Sequence, residues 1–310
     1  MRVRNALRSL AIKSLYESLD VRMIIHVASQ VIENYDIYER TGCPHNIPLT
    51  AQQTARQVID DCIALDMFLD LLEYLIILNS RGYMGREFPI LYLDEMIKHI
   101  AAEGFLYNPE INRFMEDTTK QATINWGRLH EGSNYSFTFL KIDIVRNSEH
   151  VRSNKKTDVE SAYRHIHAFI TNSFLKRDGR EWFWEGDGGL IAFFNGDIYN
   201  NAVLTGIDII NKLNLFNIFD NILQKPVSLR ISCHAGTFPF SSNASVIRKY
   251  DPIREAFEIE SKHTPENVLS VTVNVYARLD KLLTDSLTSS IQCDKWKLYY
   301  YKPSTEFSCK

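Results

Sequence analysis

Two aspartates and one polar pair are the residues of this 310-residue sequence whose types and placement could do chemistry. Asp143 stands near the end of an aromatic and β-branched run, Ser136 to Val145, and Asp187 stands in the run Gly186-Asp187-Gly188-Gly189. Two carboxylates placed side by side with no other partner call for a cation, and hard oxygen ligands suit Mg²⁺ or Mn²⁺, which keep waters and bind phosphates. Asn274 and Arg278 are four residues apart, the spacing that puts two side chains on one helix face. Taken singly, each also has a plain structural reading: a strand-end cap, an Asp-Gly hairpin turn, a solvated helix face.

The elements around these residues decide whether the aspartates meet. Residues 1 to about 130 read as helical: Thr50 and Gln52-Gln53 open a run with Val58, Cys62, Leu65, Phe68, Leu69, Leu72 and Leu75-Ile76 at helical period, and Tyr92 to Ile100 repeats the pattern. Asn125-Trp126-Gly127 through Gly132-Ser133-Asn134 reads as a linker, which divides the chain into a helical region, 1–130, and a second domain, 135–310. That domain reads as strand Ser136–Val145, helix Thr157–Lys176 with a Thr157/Glu160 capping box, strand Glu181–Glu185, a Gly-rich turn, strand Leu190–Phe194, a helix capped by Asp197, and strand Val227–Ala235. The order β-α-β-β-α-β is the ferredoxin-like unit of an α+β fold. In that topology the first strand lies antiparallel to the third, so the end bearing Asp143 sits beside the turn bearing Asp187.

Four blocks, in order over about residues 136 to 283, resemble the class III adenylyl/guanylyl cyclase family. Phe139-Leu140-Lys141-Ile142-Asp143-Ile144-Val145-Arg146-Asn147-Ser148 resembles its first metal-binding strand and phosphate loop; Trp184-Glu185-Gly186-Asp187-Gly188-Gly189-Leu190-Ile191-Ala192-Phe193-Phe194 looks like its Gly-Asp hairpin. Leu229-Arg230-Ile231-Ser232-Cys233-His234-Ala235-Gly236 is similar to its fourth strand, and Val273-Asn274-Val275-Tyr276-Ala277-Arg278-Leu279 to its Val-Asn-x-x-x-Arg-Leu helix. The resemblance implies that Asp143, Asp187 and the Ile144 carbonyl hold two Mg²⁺ or Mn²⁺ ions. It implies that backbone amides of Val145, Arg146, Asn147 and Ser148 hold a triphosphate, that Asn274 orients the ribose, and that Arg278 offsets charge on the α-phosphate. Lys295, or Lys297, matches the family's triphosphate lysine, with a solvated strand-edge lysine as the plainer reading; His234 is expected to pack. Because the family draws its aspartates and its Asn/Arg pair from opposite protomers, a homodimer with two shared sites is implied.

The chain departs from the family where purine cyclases read the base. Phe183 stands three before the hairpin glycine, in place of Lys or Glu, and Thr272 precedes Val273-Asn274, in place of Asp or Cys. Phe183, between Trp182 and Trp184, offers bulk and stacking, and Thr272 can both donate and accept; a plain core aromatic is the other reading of Phe183. This resembles the pyrimidine cyclases of Pycsar anti-phage defence, which implies UTP as substrate, cyclic UMP as product and a separate effector that reads it. Cytidylate cyclase, an unorthodox purine cyclase and a dead nucleotide-binding module are the alternatives.

Bulk properties exclude other classes. A net charge of −3 leaves no basic footprint for nucleic acid. The most apolar stretch, Ile63 to Leu78, contains Asp66, Asp70 and Glu73, so it reads as a buried helix rather than a membrane span. Met1-Arg2-Val3-Arg4-Asn5 runs on without a secretory apolar segment, and five dispersed cysteines (Cys43, Cys62, Cys233, Cys293, Cys309) fit a reducing compartment. A cytoplasmic protein is expected.

Overall fold

The computed structural model describes residues 1 and 3–303; Cys309 lies outside them. The chain divides into two compact units, the first being Met1–Gln121 and the second starting at Ala122. The four described cysteines form no disulfide.

The first unit holds α1 (Asn5–Ser18), α2 (Val21–Val31), α3 (Ile37–Thr41), α4 (Ala51–Ala64), α5 (Phe68–Arg81) and α6 (Leu93–Ala102), then a hairpin of β1 (Phe105–Asn108) and β2 (Arg113–Glu116). Thr50 starts α4 with a complete capping box: its hydroxyl accepts from the Gln53 amide, and Gln53 Oε1 accepts from the Thr50 N–H. Two points differ from the sequence reading. The long periodic run is two helices, because Asp66 takes φ 57 and breaks the ladder between α4 and α5. The region is also not purely helical, since the β1–β2 hairpin seals its core through buried Phe105 and Phe114. Leu15, Ile24, Val58, Leu72 and Leu75 form that core, each buried aliphatic side chain contributing about 1.5–3 kcal/mol.

The second unit runs β3 (Asn134–Ile144), α7 (Asn147–Ser153), α8 (Lys156–Leu175), β4 (Arg180–Glu185), β5 (Gly188–Phe193), α9 (Ile198–Phe219) and β6 (Leu229–Pro239). It continues with α10 (Ala244–Ile247), α11 (Asp251–Glu258), a π-helical turn Ile259–His263, β7 (Val268–Thr272), α12 (Val273–Tyr276), α13 (Lys281–Ser286), β8 (Thr288–Cys293) and β9 (Trp296–Tyr301). Its sheet has seven strands in the order β4-β5-β3-β6-β7-β9-β8. The first four strands have the ferredoxin-like order, with β3 central and antiparallel to both β5 and β6. The central strand is buried on both faces: Leu140, Ile142 and Ile144 pack under α8 and α9, while Phe137 and Phe139 join Trp126, Trp182 and Phe238 on the other. Trp126, read from sequence as linker, is fully buried in this second core.

Asp197 caps α9 as expected, accepting from the Asn200 N–H. Among the described residues, α9 is the helix long and apolar enough to cross a bilayer, but Ala202, Ile209, Ile210, Leu213 and Phe216 bury one side of it against the sheet. The Thr157/Glu160 capping box of α8 is not made. The helix begins at Lys156 with Lys155 in the cap position, so Thr157 already lies inside it.

Candidate active site

The register of β3 on β5 creates the acidic end of the site. Asp143 pairs directly with Gly188, and the Ile144 N–H donates to the Asp187 carbonyl at 2.9 Å. The β4–β5 hairpin closes through Gly186-Asp187, with Glu185 opposite Gly188 and Gly186 at φ +59, the positive-φ first position of a tight hairpin turn. Gly188 is needed for a second reason: a Cβ there would stand 2.5 Å from the Ile142 carbonyl and 3.0 Å from Asp143 Oδ1. The sequence therefore brings two carboxylates together through one register and two glycines.

Each carboxylate has a different environment. Asp143 Oδ2 accepts from Arg230 Nη2 at 2.8 Å, and its Oδ1 lies 3.9 Å from Lys141 Nζ. Asp187 makes no side-chain hydrogen bond or ion pair among the described residues and is half-buried. Behind them, Arg230 Nε approaches Glu260 Oε1 to 2.8 Å without hydrogen-bond alignment, and Lys141 Nζ stands 3.7 Å from Glu260 Oε2. Burial pushes the Lys141 ammonium below its ordinary range against the pull of Glu260, Asp143 and Asp187. Burial likewise raises the Glu260 carboxyl, with Lys141 opposing. The donor set fits a divalent cation: hard carboxylate oxygens at adjacent positions, one of them with no counter-charge bonded to it. Among the described residues no cluster of three or more His, Cys, Asp or Glu side chains forms a metal site.

The expected phosphate loop follows β3. Val145 is buried and its N–H is committed to the Ser228 carbonyl at 2.8 Å, so it is not available to a phosphate. Arg146 takes φ 57 and pairs with Glu266 at 2.5 Å. Asn147 and Ser148 open α7, where first-turn N–H groups have no acceptor in their own helix. The Asn147 side chain accepts from the Tyr163 hydroxyl at 3.0 Å.

Asn274 and Arg278 share one cleft of about 490 Å³ with Ser136, Tyr199, Gly236 and Thr237. The helix expected to carry both is a single turn, Val273–Tyr276, and Arg278 lies in the turn after it. Arg278 donates from Nη1 to the Tyr199 hydroxyl, with its guanidinium carbon 4.9 Å from the Tyr199 ring centre. Ser136 and Asp143 sit at opposite ends of β3, seven strand residues or roughly 23 Å apart. The acidic end and the Asn274/Arg278 cleft of one chain therefore cannot close on the same small molecule.

Of the two residues expected at the base, Phe183 is half-buried, 6.2 Å from the Phe257 ring and 4.2 Å from the Arg248 guanidinium carbon, which in turn pairs with Glu185 at 2.7 Å. Thr272 is 1% exposed, with its hydroxyl bonded to His234 Nδ1 at 3.1 Å, so it faces the protein interior. His234 packs as expected and reaches Glu255 at 3.2 Å through Nε2. Lys295 is exposed and pairs with Glu255 and Glu258 at 3.4 and 3.7 Å. The structure does not bring Phe183, Thr272 and Lys295 into the Asn274/Arg278 cleft.

Sequence reasoning missed Lys141, Arg230 and Glu260. Lys141 was discoverable, since a lysine two before Asp143 in an apolar strand shares its face. Glu260 was not, because a π-helical turn sets its direction.

No protein-family model matches the sequence, and no curated protein matches it. The structure is similar to the guanylyl cyclase domain of the RhoGC fusion protein from the aquatic fungus Blastocladiella emersonii, at 15% identity over 55% of this chain and 97% of that one, TM-score 0.47. It is also similar to the adenylyl cyclase CyaB from P. aeruginosa, at 14% identity over 56% and 97%, TM-score 0.48, and to an adenylate/guanylate cyclase/hydrolase from Silicibacter pomeroyi, at 14% identity over 55% and 98%, TM-score 0.46.

Proposed function

We propose that the chain is a class III nucleotidyl cyclase that acts as a homodimer and closes a nucleoside triphosphate, UTP in preference, into its 3′,5′-cyclic monophosphate with release of pyrophosphate. The observation that carries this reading is the β3–β5 register that seats Asp143 beside Asp187, at the opposite end of β3 from Asn274 and Arg278. Such a split is useful only if a second copy supplies the missing half, and a two-fold dimer supplies it twice.

Asp143 and Asp187, with the Ile144 carbonyl, would hold two Mg²⁺ or Mn²⁺ ions. When bound, the ions supply a lowered pKa for the ribose 3′-hydroxyl and neutralise the β- and γ-phosphates. The chain's own residues do the rest. First-turn amides of Asn147 and Ser148 meet the phosphate oxygens. Asn274 of the other protomer orients the ribose, and its Arg278 offsets charge that builds on the α-phosphate as the 3′-oxygen attacks and pyrophosphate leaves. Phe183 narrows the base side and favours the smaller pyrimidine. A product that is a diffusible cyclic nucleotide fits a second messenger read by a separate effector in anti-phage defence. The test is mass spectrometry of products after incubation with each of the four NTPs and Mn²⁺. Cyclic UMP is the expected main product, and intact substrate in every reaction would reject the cyclase.

A further inference from the structure

Arg278 sits on a segment with little rigidity of its own. Beyond the single turn of α12 the backbone makes three short-range turn bonds, from the Ala277 N–H to the Val273 carbonyl, from the Arg278 N–H to the Val275 carbonyl and from the Leu279 N–H to the Tyr276 carbonyl. These bonds are all local, and two adjacent residues in the first turn of α9 tie the segment to the rest of the unit. Asn200 is 7% exposed. Its Nδ2 donates to Asp280 Oδ2 and to Asp197 Oδ2, both at 2.6 Å, while its Oδ1 accepts from the Asp280 N–H at 3.1 Å. One side-chain amide thus ties both the backbone and the carboxylate of Asp280 to the cap of α9, two residues after Arg278. Tyr199, the residue before Asn200, accepts from Arg278 through its hydroxyl and has its ring beneath the guanidinium. On the far side of the segment, Tyr276 stacks on Tyr299 with ring centres 3.5 Å apart.

We infer that Asn200 and Tyr199 are positioning residues for Arg278: Asn200 pins the segment at Asp280, and Tyr199 aims the guanidinium into the cleft before substrate arrives. The inference rests on the reading of Arg278 as the group that offsets transition-state charge. A guanidinium held in place needs no reorganisation at the moment of reaction, which is where electrostatic stabilisation gains most. The same clamp gives the N-terminus of α9 its use: Asp197 caps the helix and, through Asn200, the segment as well.

The experiment is a set of double-mutant cycles on the full-length dimer, scored by cyclic nucleotide formation. Asn200→Ala and Tyr199→Leu are each expected to lower kcat about tenfold or more with KM within about twofold, the pattern of an interaction made only in the transition state. Tyr199→Phe, which keeps the ring under the guanidinium, should recover most of the Tyr199→Leu loss. In an Arg278→Ala background the Asn200 and Tyr199 changes should cost nothing further, because their effect passes through the missing guanidinium. Hydrogen exchange should quicken at residues 277–280 in Asn200→Ala, while the β3 and β6 amides stay protected. A full additive loss in the Arg278→Ala background, or normal kcat in both single variants, would overturn the inference. Normal activity of Arg278→Ala alone would instead remove the transition-state reading on which it stands.

Discussion

Asp143 and Arg278 belong to opposite ends of one sheet: Asp143 lies one residue before the end of β3, whereas Arg278 lines a cleft with Ser136 at that strand's beginning. Roughly 23 Å of strand separates the two ends. The proposed shared site follows from that separation and from the close pairing of Asp143 with the Asp187 turn.

The first prediction concerns the carboxylates. Asp143→Asn and Asp187→Asn each remove one negative charge from the site proposed to hold two divalent ions, and should lower cyclisation by more than about a hundredfold. Asp187 has no bonded partner among the described residues, so its replacement should leave the melting temperature unchanged. Asp143→Asn takes the carboxylate from Arg230 Nη2, leaving the guanidinium with Glu260 and the Ser261 carbonyl, and should cost about 1–2 kcal/mol. Mn²⁺ titration by electron paramagnetic resonance should show weaker binding in both; unchanged affinity in either removes that aspartate from the metal site.

Gly188 provides a backbone test of the same place. Gly188→Ala puts a methyl 2.5 Å from the Ile142 carbonyl and 3.0 Å from Asp143 Oδ1. The strands must part or the carboxylate must turn, so activity should fall and stability should drop by about 1–3 kcal/mol, as for other overpacked sites. A variant with wild-type melting and turnover would show that β5 has room the geometry denies.

How much of this could be read in the sequence depended on how local each signal was. The strand bearing Asp143 and the Gly186-Asp187 hairpin carry their signals within a few residues, and topology then placed the two carboxylates together. The Thr50/Gln53 cap was equally local. Other features depend on partners far away in the chain. Asp66 breaks the expected helix by a left-handed backbone that its residue type permits but does not require. Lys155 takes the cap of α8 although Thr157 has the better side chain for it. Thr272 looked free to read a base, but His234 on the neighbouring strand claims its hydroxyl. Glu260 reaches the ion cluster only through a π-helical turn, which no spacing rule foretells.

Base choice is tested at Phe183. Its ring lies under the Arg248 guanidinium and near the Phe257 ring, so Phe183→Ala opens space and leaves Arg248 held by Glu185. With UTP, CTP, ATP and GTP in equal competition, discrimination against purines should fall about tenfold to a hundredfold. Unaltered selectivity would mean that the base sits elsewhere, and a wild-type preference for ATP or GTP would remove the pyrimidine reading while leaving the cyclase.

Asp208 makes an acid-sensitive contribution to the stability of the second unit. Burial raises its carboxyl, but hydrogen bonds from Lys176, Lys212 and Ser173 outweigh burial and hold the pKa down at about 2. An acid whose folded pKa lies below its unfolded value contributes stability above the unfolded pKa and loses it as pH falls through the folded one. The contribution is therefore full above about pH 5 and gone near pH 2, and solvent screening of a side chain 21% exposed reduces it to about 1 kcal/mol. Asp208→Asn should unfold at lower temperature than wild type at pH 7, and the gap should close on acidification; a gap that is the same at both pH values would contradict this.

The shared site is tested most directly by complementation. An Asp143→Asn chain lacks the proposed metal end and an Arg278→Ala chain lacks the proposed transition-state end, so each homodimer should turn over at no more than a small residual rate. In a mixed dimer one of the two sites receives Asp143 from one protomer and Arg278 from the other, both intact. Mixing the two impaired proteins in equal amounts, with mixed dimers counted by native mass spectrometry, should restore cyclic nucleotide formation to about half the wild-type rate per mixed dimer. Mixed dimers that form and remain inactive would contradict the account.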